Sequence, residues 1–466
     1  MADSRSRFAN TIVWLQEFSI PLIVGVVAAM GLANLDPEFY GSLIHTPVHH
    51  LFGFGAEASA HEAHAGHSLN HFLTLHFLVN DIFMVLFFGI AAKEITEACL
   101  PGGSLSPFSK ALNPLIGTLG GVVGPVAVYL GLNAAFGSPA WTNGWGIPTA
   151  TDIALAWLVA KLIFGRNHPA VSFLLLLAVA DDAIGLGIIA IAYPDPEHPA
   201  MWANALWIVP GMLAAFFLRL ANVRHWAPYI LTGGTLCWWG LFSAHLHPAL
   251  ALVFIVPFLP GPKRDLGLYR DLVVDDATSH AAHQHASPLE QFEHFWRTPV
   301  DFGLFFFAFA NAGVSLGEVN GLTWLVLASL IIGKTIGITA FCCIAQKCGL
   351  ALPNGLTIRD LIVISTIAGL GLTVALFVSG QAFADAALQG AASMGAVLSA
   401  GAALLAFLVA DLLGVRKTGR SVFKWLASLR GSSSSRVGEL EPTTTSVSMD
   451  EPEPAPEEPE LVGVSD

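Results

Sequence analysis

Two adjacent carboxylates, Asp181 and Asp182, sit in the middle of a run that is otherwise almost wholly apolar from Ala170 to Tyr193, long enough to cross a bilayer. Each Asp at a helix centre costs roughly 3 kcal/mol on insertion, so the pair calls for partners or a water-filled cavity. The alternative, a solvated helix end that happens to be acidic, fits poorly because apolar sequence continues for about a turn and a half or more on both sides. Consecutive helical positions lie about 100° apart, so the two side chains cannot point at the same place. One can take a fixed partner while its neighbour faces a cavity. The chemistry open to such a pair is the binding and release of protons or hard cations.

Lys334, in Leu330-Ile-Ile-Gly-Lys334-Thr-Ile-Gly337, poses the complementary problem. A lysine that snorkels to water sits near the end of a span, whereas this one has about ten apolar-rich positions on either side, and a carboxylate partner is expected.

Asp152 completes the set. It follows Gly144, Gly146, Pro148, Thr149 and Thr151, a run of poor helix formers, so a break there leaves a half-helix starting near Asp152 with free backbone N–H groups inside the membrane. Ala368-Gly369-Leu-Gly371-Leu-Thr373 interrupts a second apolar run in the same manner. Glycines taken alone would only allow close helix packing. Two interrupted spans, one in each half of the chain and with acids beside the first, point to a transporter site near the midplane. Asp152 suits one set of half-helix dipole ends and Lys334 the other.

The elements that must hold these groups are legible from composition. The 466 residues are 54% hydrophobic and 12% charged, with a mean hydropathy of +0.64. That is about half the charged fraction of a soluble globular protein, which makes the chain a polytopic, all-α membrane protein. Apolar runs near 12–34, 72–92, 113–136, 146–165, 170–193, 202–220, 226–243, 246–260, 300–316, 322–346, 357–380 and 390–412 predict about twelve spans. Of the 21 basic residues, all except Lys334 fall before the first run, in every second loop or at the run ends that border it, or after the last. The positive-inside rule then puts both termini in the cytoplasm.

Three regions follow: a cytoplasmic N-terminus at 1–11, a transmembrane domain at 12–415 and a tail at 416–466. Most of the net charge of −13 arises in the last part of that tail, which carries nine acids and no base from Val437 onward. Rich in Ser, Thr, Pro and Glu without apolar periodicity, it is expected to be disordered. The two long connections, 35–71 and 261–298, are rich in His. His61, His64 and His67 are spaced for a helix face that could hold a metal, but the Ala/Gly context favours a solvated loop, one that could respond to pH. The five cysteines have no metal or disulfide-framework spacing and are expected to be reduced.

Four motifs resemble the NhaA-type sodium/proton antiporters: Ala150-Thr-Asp152-Ile-Ala154, Ala180-Asp-Asp182, Phe309-Ala-Asn311-Ala-Gly313-Val-Ser-Leu316 and Ile332-Gly-Lys334-Thr335-Ile-Gly337. Gly369-Leu-Gly371-Leu-Thr373 and Val79-Asn-Asp81 add to the match, which runs from about residue 12 to 412 in the order expected of such proteins. The resemblance implies an inverted repeat in which spans three to five and ten to twelve form a core around two crossed, interrupted helices. It implies that Asp182 is the main sodium and proton ligand, that Asp181 pairs with Lys334, and that Asp152 and Thr151 stand at a helix break near the site. Pro148, Gly369, Gly371 and Thr373 are then the supporting residues of the two breaks. A bacterial inner-membrane exchanger of sodium, with lithium as a second cargo, is the implied activity. It is electrogenic if more than one proton leaves per sodium, and it would serve sodium and pH homeostasis.

Two departures from the family pattern concern pH response. Where family members show Gly-Leu-Glu-x-Lys-x-Glu, this chain has Gly89-Ile-Ala-Ala-Lys93-Glu94-Ile95 followed by Thr96 and Glu97, and His247-Pro-Ala-Leu replaces His-Ala-Thr-Leu. Glu94, Glu97 and His247 are the candidates for that response here. Sodium ions, protons and the lipid bilayer are the expected partners, with a homodimer left open and neither a cofactor nor nucleic acid expected. A sodium-coupled symporter would need further polar contacts for its solute. An intramembrane aspartyl protease would need Gly-x-Gly-Asp, whereas Gly369-Leu-Gly371 is followed by Leu372, so no enzymatic activity is expected.

Overall fold

In the computed structural model the described residues are 15–16, 19–47, 74–100, 108–165, 168–193, 201–261 and 287–415, and no β-strand occurs among them. Helix α1 (Ile20–Leu35) leads through Asp36 into the short α2 (Pro37–His45), whose first turn Asp36 caps by accepting from the Phe39 N–H. Helix α3 (Leu75–Cys99) contains a π-helical turn at Leu78–Phe83, and α4 (Phe108–Phe136) carries Pro114 and Pro125 in its interior. A 3-10 helix, Pro139–Thr149, and α5 (Ile153–Phe164) form one apolar span bent by 55°. Helix α6 (Pro169–Ala192) follows, then α7 (Trp202–Leu220), α8 (Thr235–Ser243) and the short apolar segment Pro248–Phe258. Helix α9 (Pro288–Asn311) opens the second half, before α10 (Gly321–Lys347). The pair α11 (Ile358–Ile367) and α12 (Leu372–Ala382) is bent by 49°, and α13 (Ala386–Leu412) closes the described chain.

Each of the twelve apolar runs has a helical counterpart. Six are long and apolar enough to cross a membrane unbroken, and the two bent pairs are broken spans at the expected places. The remaining four, α1, Tyr229–Ser243, Pro248–Phe258 and α9, are short or more polar. The succession of long helix, broken pair and helix in α4 to α6 recurs in α10 to α13.

Lipid and core sort the helices by their small residues. In α6, 61% of the most apolar window is buried, against 11% in α7, whose Trp207, Phe217 and Leu220 face outward. Helices α4 and α10 cross backbone to backbone. A Cβ on Gly120 would run into the Gly337 carbonyl oxygen, and one on Gly124 into that of Gly333. These two Gly-xxx-Gly stripes give the close approach that apolar side chains cannot give in lipid, where no hydrophobic force drives helices together. Lys334 follows Gly333 directly, so the crossing also fixes where its side chain enters the core.

The structure differs from the sequence expectations at several boundaries. The ninth span, expected at 300–316, begins twelve residues earlier at Pro288, because Ser287 and Glu290 form a capping box with Pro288 at the first helical position. Part of the expected 261–298 loop is therefore helix. The second span runs to Cys99, which places Lys93 within a helix rather than in a loop, and Pro37–His45 of the expected 35–71 loop is helical. All five cysteines are free thiols. The stretches 48–73 and 262–286, with the His61, His64 and His67 cluster, and the segments 1–14 and 416–466 lie outside the described residues.

Candidate functional site

The two breaks meet each other. At residues 150–152 the chain is extended between the 3-10 helix and α5, and the Asp152 N–H donates to the Leu370 carbonyl of the other break at 2.7 Å. Asp152 then serves both halves. One carboxylate oxygen accepts from the Leu155 N–H at 3.1 Å, capping α5, and the other accepts from the Thr373 hydroxyl at 3.1 Å and its N–H at 3.4 Å in the first turn of α12. A half-helix N-terminus is a positive end with unpaired N–H groups, so one anion compensates two of them. Gly371 is required by proximity: a Cβ there would meet the Leu330 side chain at 2.6 Å and the Ala150 carbonyl at 3.1 Å. Gly369 has the Leu330 carbonyl at 3.1 Å in the same sense.

Asp181 and Lys334 are both fully buried, and the Lys334 ammonium donates to one Asp181 oxygen at 2.5 Å and to the Thr151 hydroxyl at 2.6 Å. Thr151 in turn stands 2.7 Å from the same Asp181 oxygen and 3.1 Å from the Ala368 carbonyl. Its one hydroxyl proton can serve only one of these acceptors at a time. The carboxylate partner expected for Lys334 is therefore Asp181. The expected contact of Lys334 with the negative half-helix ends is indirect, running through Thr151 to the carbonyl that ends α11.

Asp182 has a different environment from its neighbour. Its side chain, like those of Thr151, Asp152 and Thr373, lines a cavity of about 150 Å³. One oxygen of Asp182 and one of Asp181 are buried with no hydrogen-bond partner. Unpaired buried carboxylate oxygens are costly. Beside hydroxyls and the carbonyls of two broken helices they form a set of hard oxygen donors that suits a small hard cation. Among the described residues no group of three or more His, Cys, Asp and Glu side chains is placed to hold a metal ion together.

The cavity extends to a second set of charges. Glu94, Glu293, Arg297 and Asp301 line it as well. Lys93 is 2% exposed and is surrounded by Glu94 at 3.5 Å, Glu97 at 2.8 Å and Glu293 in closer contact, while Arg297 bonds Glu293 at 3.2 Å. The sequence reading placed Glu94 and Glu97 near this function but missed Glu293, Arg297 and Asp301. Their spacing of four residues puts them on one helix face, and the capping-box signature Ser287-Pro-Leu-Glu290 would have revealed that helix.

Two candidates lie apart from the breaks and the Asp pair. Pro148 sits inside the 3-10 helix rather than at the break. His247 caps the segment Pro248–Phe254, with its ring edge-on to Phe377 at 4.6 Å between centroids, and is not part of the cavity wall.

Comparison with known proteins adds to this geometry. A family model described as Na+/H+ antiporter 1 matches residues 14–413. The protein named Na(+)/H(+) antiporter NhaA 2 in Pelobacter propionicus is 55% identical over 403 residues, covering 86% of this chain and 98% of its own length. The one named Na(+)/H(+) antiporter NhaA in Geobacter sulfurreducens is 54% identical over 409 residues, with the same coverage of both chains. A more distant relative of that name, in Jannaschia, is 41% identical over 435 residues, covering 87% of this chain and 99% of its own length.

Proposed function

The chain belongs to the Na+/H+ antiporter 1 family, and we propose that it performs sodium/proton exchange at Asp182, with Asp181, Lys334, Thr151 and Asp152 as the supporting groups. The observation that carries this reading is the unequal environment of two adjacent buried carboxylates. Asp181 is held by Lys334 and Thr151, while Asp182 lines a cavity between two broken helices.

The chemistry is competition. A proton on Asp182 neutralises the carboxylate, and sodium binds only the ionised form, so each cation expels the other. Hydroxyls of Thr151 and Thr373 and carbonyls of the breaks replace water around sodium. Carrying the two cations alternately to opposite faces is antiport without any covalent step. Lithium, a smaller hard cation, suits the same oxygens.

An electrogenic cycle needs a second proton. The Lys334–Asp181 pair supplies it when Asp181 turns to sodium and leaves the ammonium without its counter-ion. The distribution of basic residues supports an orientation with both termini in the cytoplasm of a bacterial inner membrane, where exchange serves sodium and pH homeostasis. Glu94 and Glu97, gathered around Lys93, are the groups best placed for pH response, with His247 a further titratable group packed against α12.

Everted membrane vesicles holding a preformed pH gradient test the reading. Added Na⁺ or Li⁺ should dissipate the gradient, and K⁺ should not. Collapsing the membrane potential should change the rate if the exchange moves net charge. Failure of Na⁺ to release protons would overturn the proposal.

A further inference from the structure

The first half of the first broken span is an unusual element. Pro139–Thr149 runs as a 3-10 helix for 11 residues, whereas such helices seldom exceed about four because their hydrogen bonds are poorly aligned. Two buried tyrosines hold it. The Tyr129 hydroxyl, from α4, donates to the Trp141 carbonyl at 2.7 Å. Tyr193, which ends α6 and is 2% exposed, does more: its hydroxyl donates to the Asn143 carbonyl and accepts from the Gly146 N–H, each at 2.7 Å. Those are the two backbone groups that one i to i+3 hydrogen bond of a 3-10 helix would join, so the hydroxyl is inserted into the ladder. A hydroxyl can do this because it is donor and acceptor at once, and a side chain inserted into a helical ladder bends the helix there. Gly146 makes the room, since a Cβ at that position would stand 2.6 Å from the Tyr193 side chain.

We infer that Tyr193 is a positioning residue for the ion site: its inserted hydroxyl fixes the direction in which the 3-10 segment enters the break, and so keeps Thr151 on Asp181 and Asp152 on Thr373. The inference rests on the assignment of Asp182 as the ion ligand. Tyr193 and the carboxylate pair belong to one helix, Asp181 and Asp182 lying three turns earlier in α6, about 17 Å along its axis. Helix α6 therefore sets the spacing between the clamp and the ligands. Past the clamp, the Thr149 hydroxyl donates to the Gly146 carbonyl at 2.7 Å and the chain turns extended at Ala150, so a shift at Gly146 passes directly to Thr151. The Asn143 side chain donates to the Ala382 carbonyl at 2.7 Å, which ties the same segment to the end of α12, the half-helix whose first turn Asp152 holds. Without the Tyr193 hydroxyl the ladder closes on itself or leaves two buried groups unpaired. Either way the bend changes, and Thr151 and Asp152 leave the positions from which they serve the site.

The test is sodium-dependent proton release in everted vesicles, with the melting temperature of the detergent-solubilised protein measured alongside. Tyr193→Phe keeps the ring and its packing on Trp145 and removes only the hydroxyl. It is expected to raise the apparent KM for sodium on the order of 3- to 10-fold, the size of effect of one lost hydrogen bond, with little change in maximal rate. Gly146→Ala pushes the hydroxyl out of the ladder and should raise KM at least as far, with a loss of stability. Combining Gly146→Ala with Tyr193→Leu makes room for the new Cβ without supplying a hydroxyl, so stability should recover and KM should not. Gly131→Ala, where nothing lies within 4 Å of a Cβ, should leave KM at the wild-type value. A wild-type KM in Tyr193→Phe, or a fall in maximal rate and melting temperature at unchanged KM, would overturn the inference while leaving the assignment of Asp182 intact. Recovery of KM in the double variant would do the same. Full activity in Asp182→Asn would overturn the assignment itself, whatever Tyr193→Phe shows.

Discussion

Thr373 donates both its hydroxyl and its backbone N–H to one oxygen of Asp152, across 221 residues of chain. The other oxygen of Asp152 caps α5 through Leu155. One carboxylate thus ties together two helix ends that would otherwise present uncompensated donors inside the membrane.

Replacing Asp152 with Ala should therefore uncap two half-helices at once. At about 0.5–2 kcal/mol per cap the expected loss of stability is roughly 1–4 kcal/mol, and Asp152→Asn, which keeps an acceptor oxygen, should lose less. Thermal unfolding of the detergent-solubilised protein measures the difference. Equal melting temperatures for Asp152→Ala and the wild type would mean that the crossing is held by other contacts.

Asp182→Asn keeps the size of the side chain and removes the ionisable oxygen. Sodium-driven proton release is expected to be lost, with membrane insertion and melting temperature close to those of the wild type. Isothermal titration with sodium provides a second readout, and retained binding in the variant would sink the assignment.

Lys334→Ala should leave the buried Asp181 carboxylate without its cation, a change that costs about 3–5 kcal/mol in buried ion pairs. Replacing both partners, Lys334→Met together with Asp181→Leu, should recover most of that stability because no uncompensated charge remains. Transport should stay absent in the double variant. A single variant as stable as the wild type would contradict the pairing.

Lys93→Met removes the cation from a cluster that also holds Glu94, Glu97 and Glu293. The three carboxylates repel one another when ionised and cease to do so when protonated, so the variant binds more protons when folded than the wild type does. Its melting temperature should fall further below that of the wild type at about pH 8 than at about pH 5.5. A pH-independent gap would show that Lys93 stabilises by packing rather than by charge.

Gly337→Val should fail where Gly131→Ala succeeds, although both glycines lie within long membrane helices. The new Cβ at 337 would collide with the Gly120 carbonyl, whose backbone cannot swing aside, whereas nothing lies within 4 Å of a Cβ at 131. Overpacking of about 1–3 kcal/mol or more is expected at 337, and a gain of up to about 1 kcal/mol from the helix propensity of Ala at 131. Expression level and melting temperature of the two variants report the contrast.

Much of the fold was readable because lipid imposes its rules residue by residue. Each of the twelve apolar runs has a helical counterpart among the described residues, and poor helix formers at Gly146 to Thr151 and Ala368 to Gly371 located both breaks. The boundaries of α9 were misjudged for a physical reason. Its first three turns carry Glu290, Glu293, His294 and Arg297, which hydropathy reads as a loop, while the local capping chemistry at Ser287 starts the helix regardless.

The sequence by itself determined which residues could not be left in lipid without partners: Asp152, Asp181, Asp182 and Lys334, each a charge in an apolar run whose burial cost demands compensation. It also determined where the helices must break, because Gly and Pro act locally on the backbone. Only the tertiary structure decided how these charges divide among partners. Asp181 and Lys334 lie 153 residues apart and Asp152 and Thr373 lie 221 apart, and no local propensity encodes such pairings. The same holds for the cavity wall, where Glu293, Arg297 and Asp301 join Asp182. A wall is made by the approach of separate helices, and that approach follows from the packing of glycines and side chains in three dimensions.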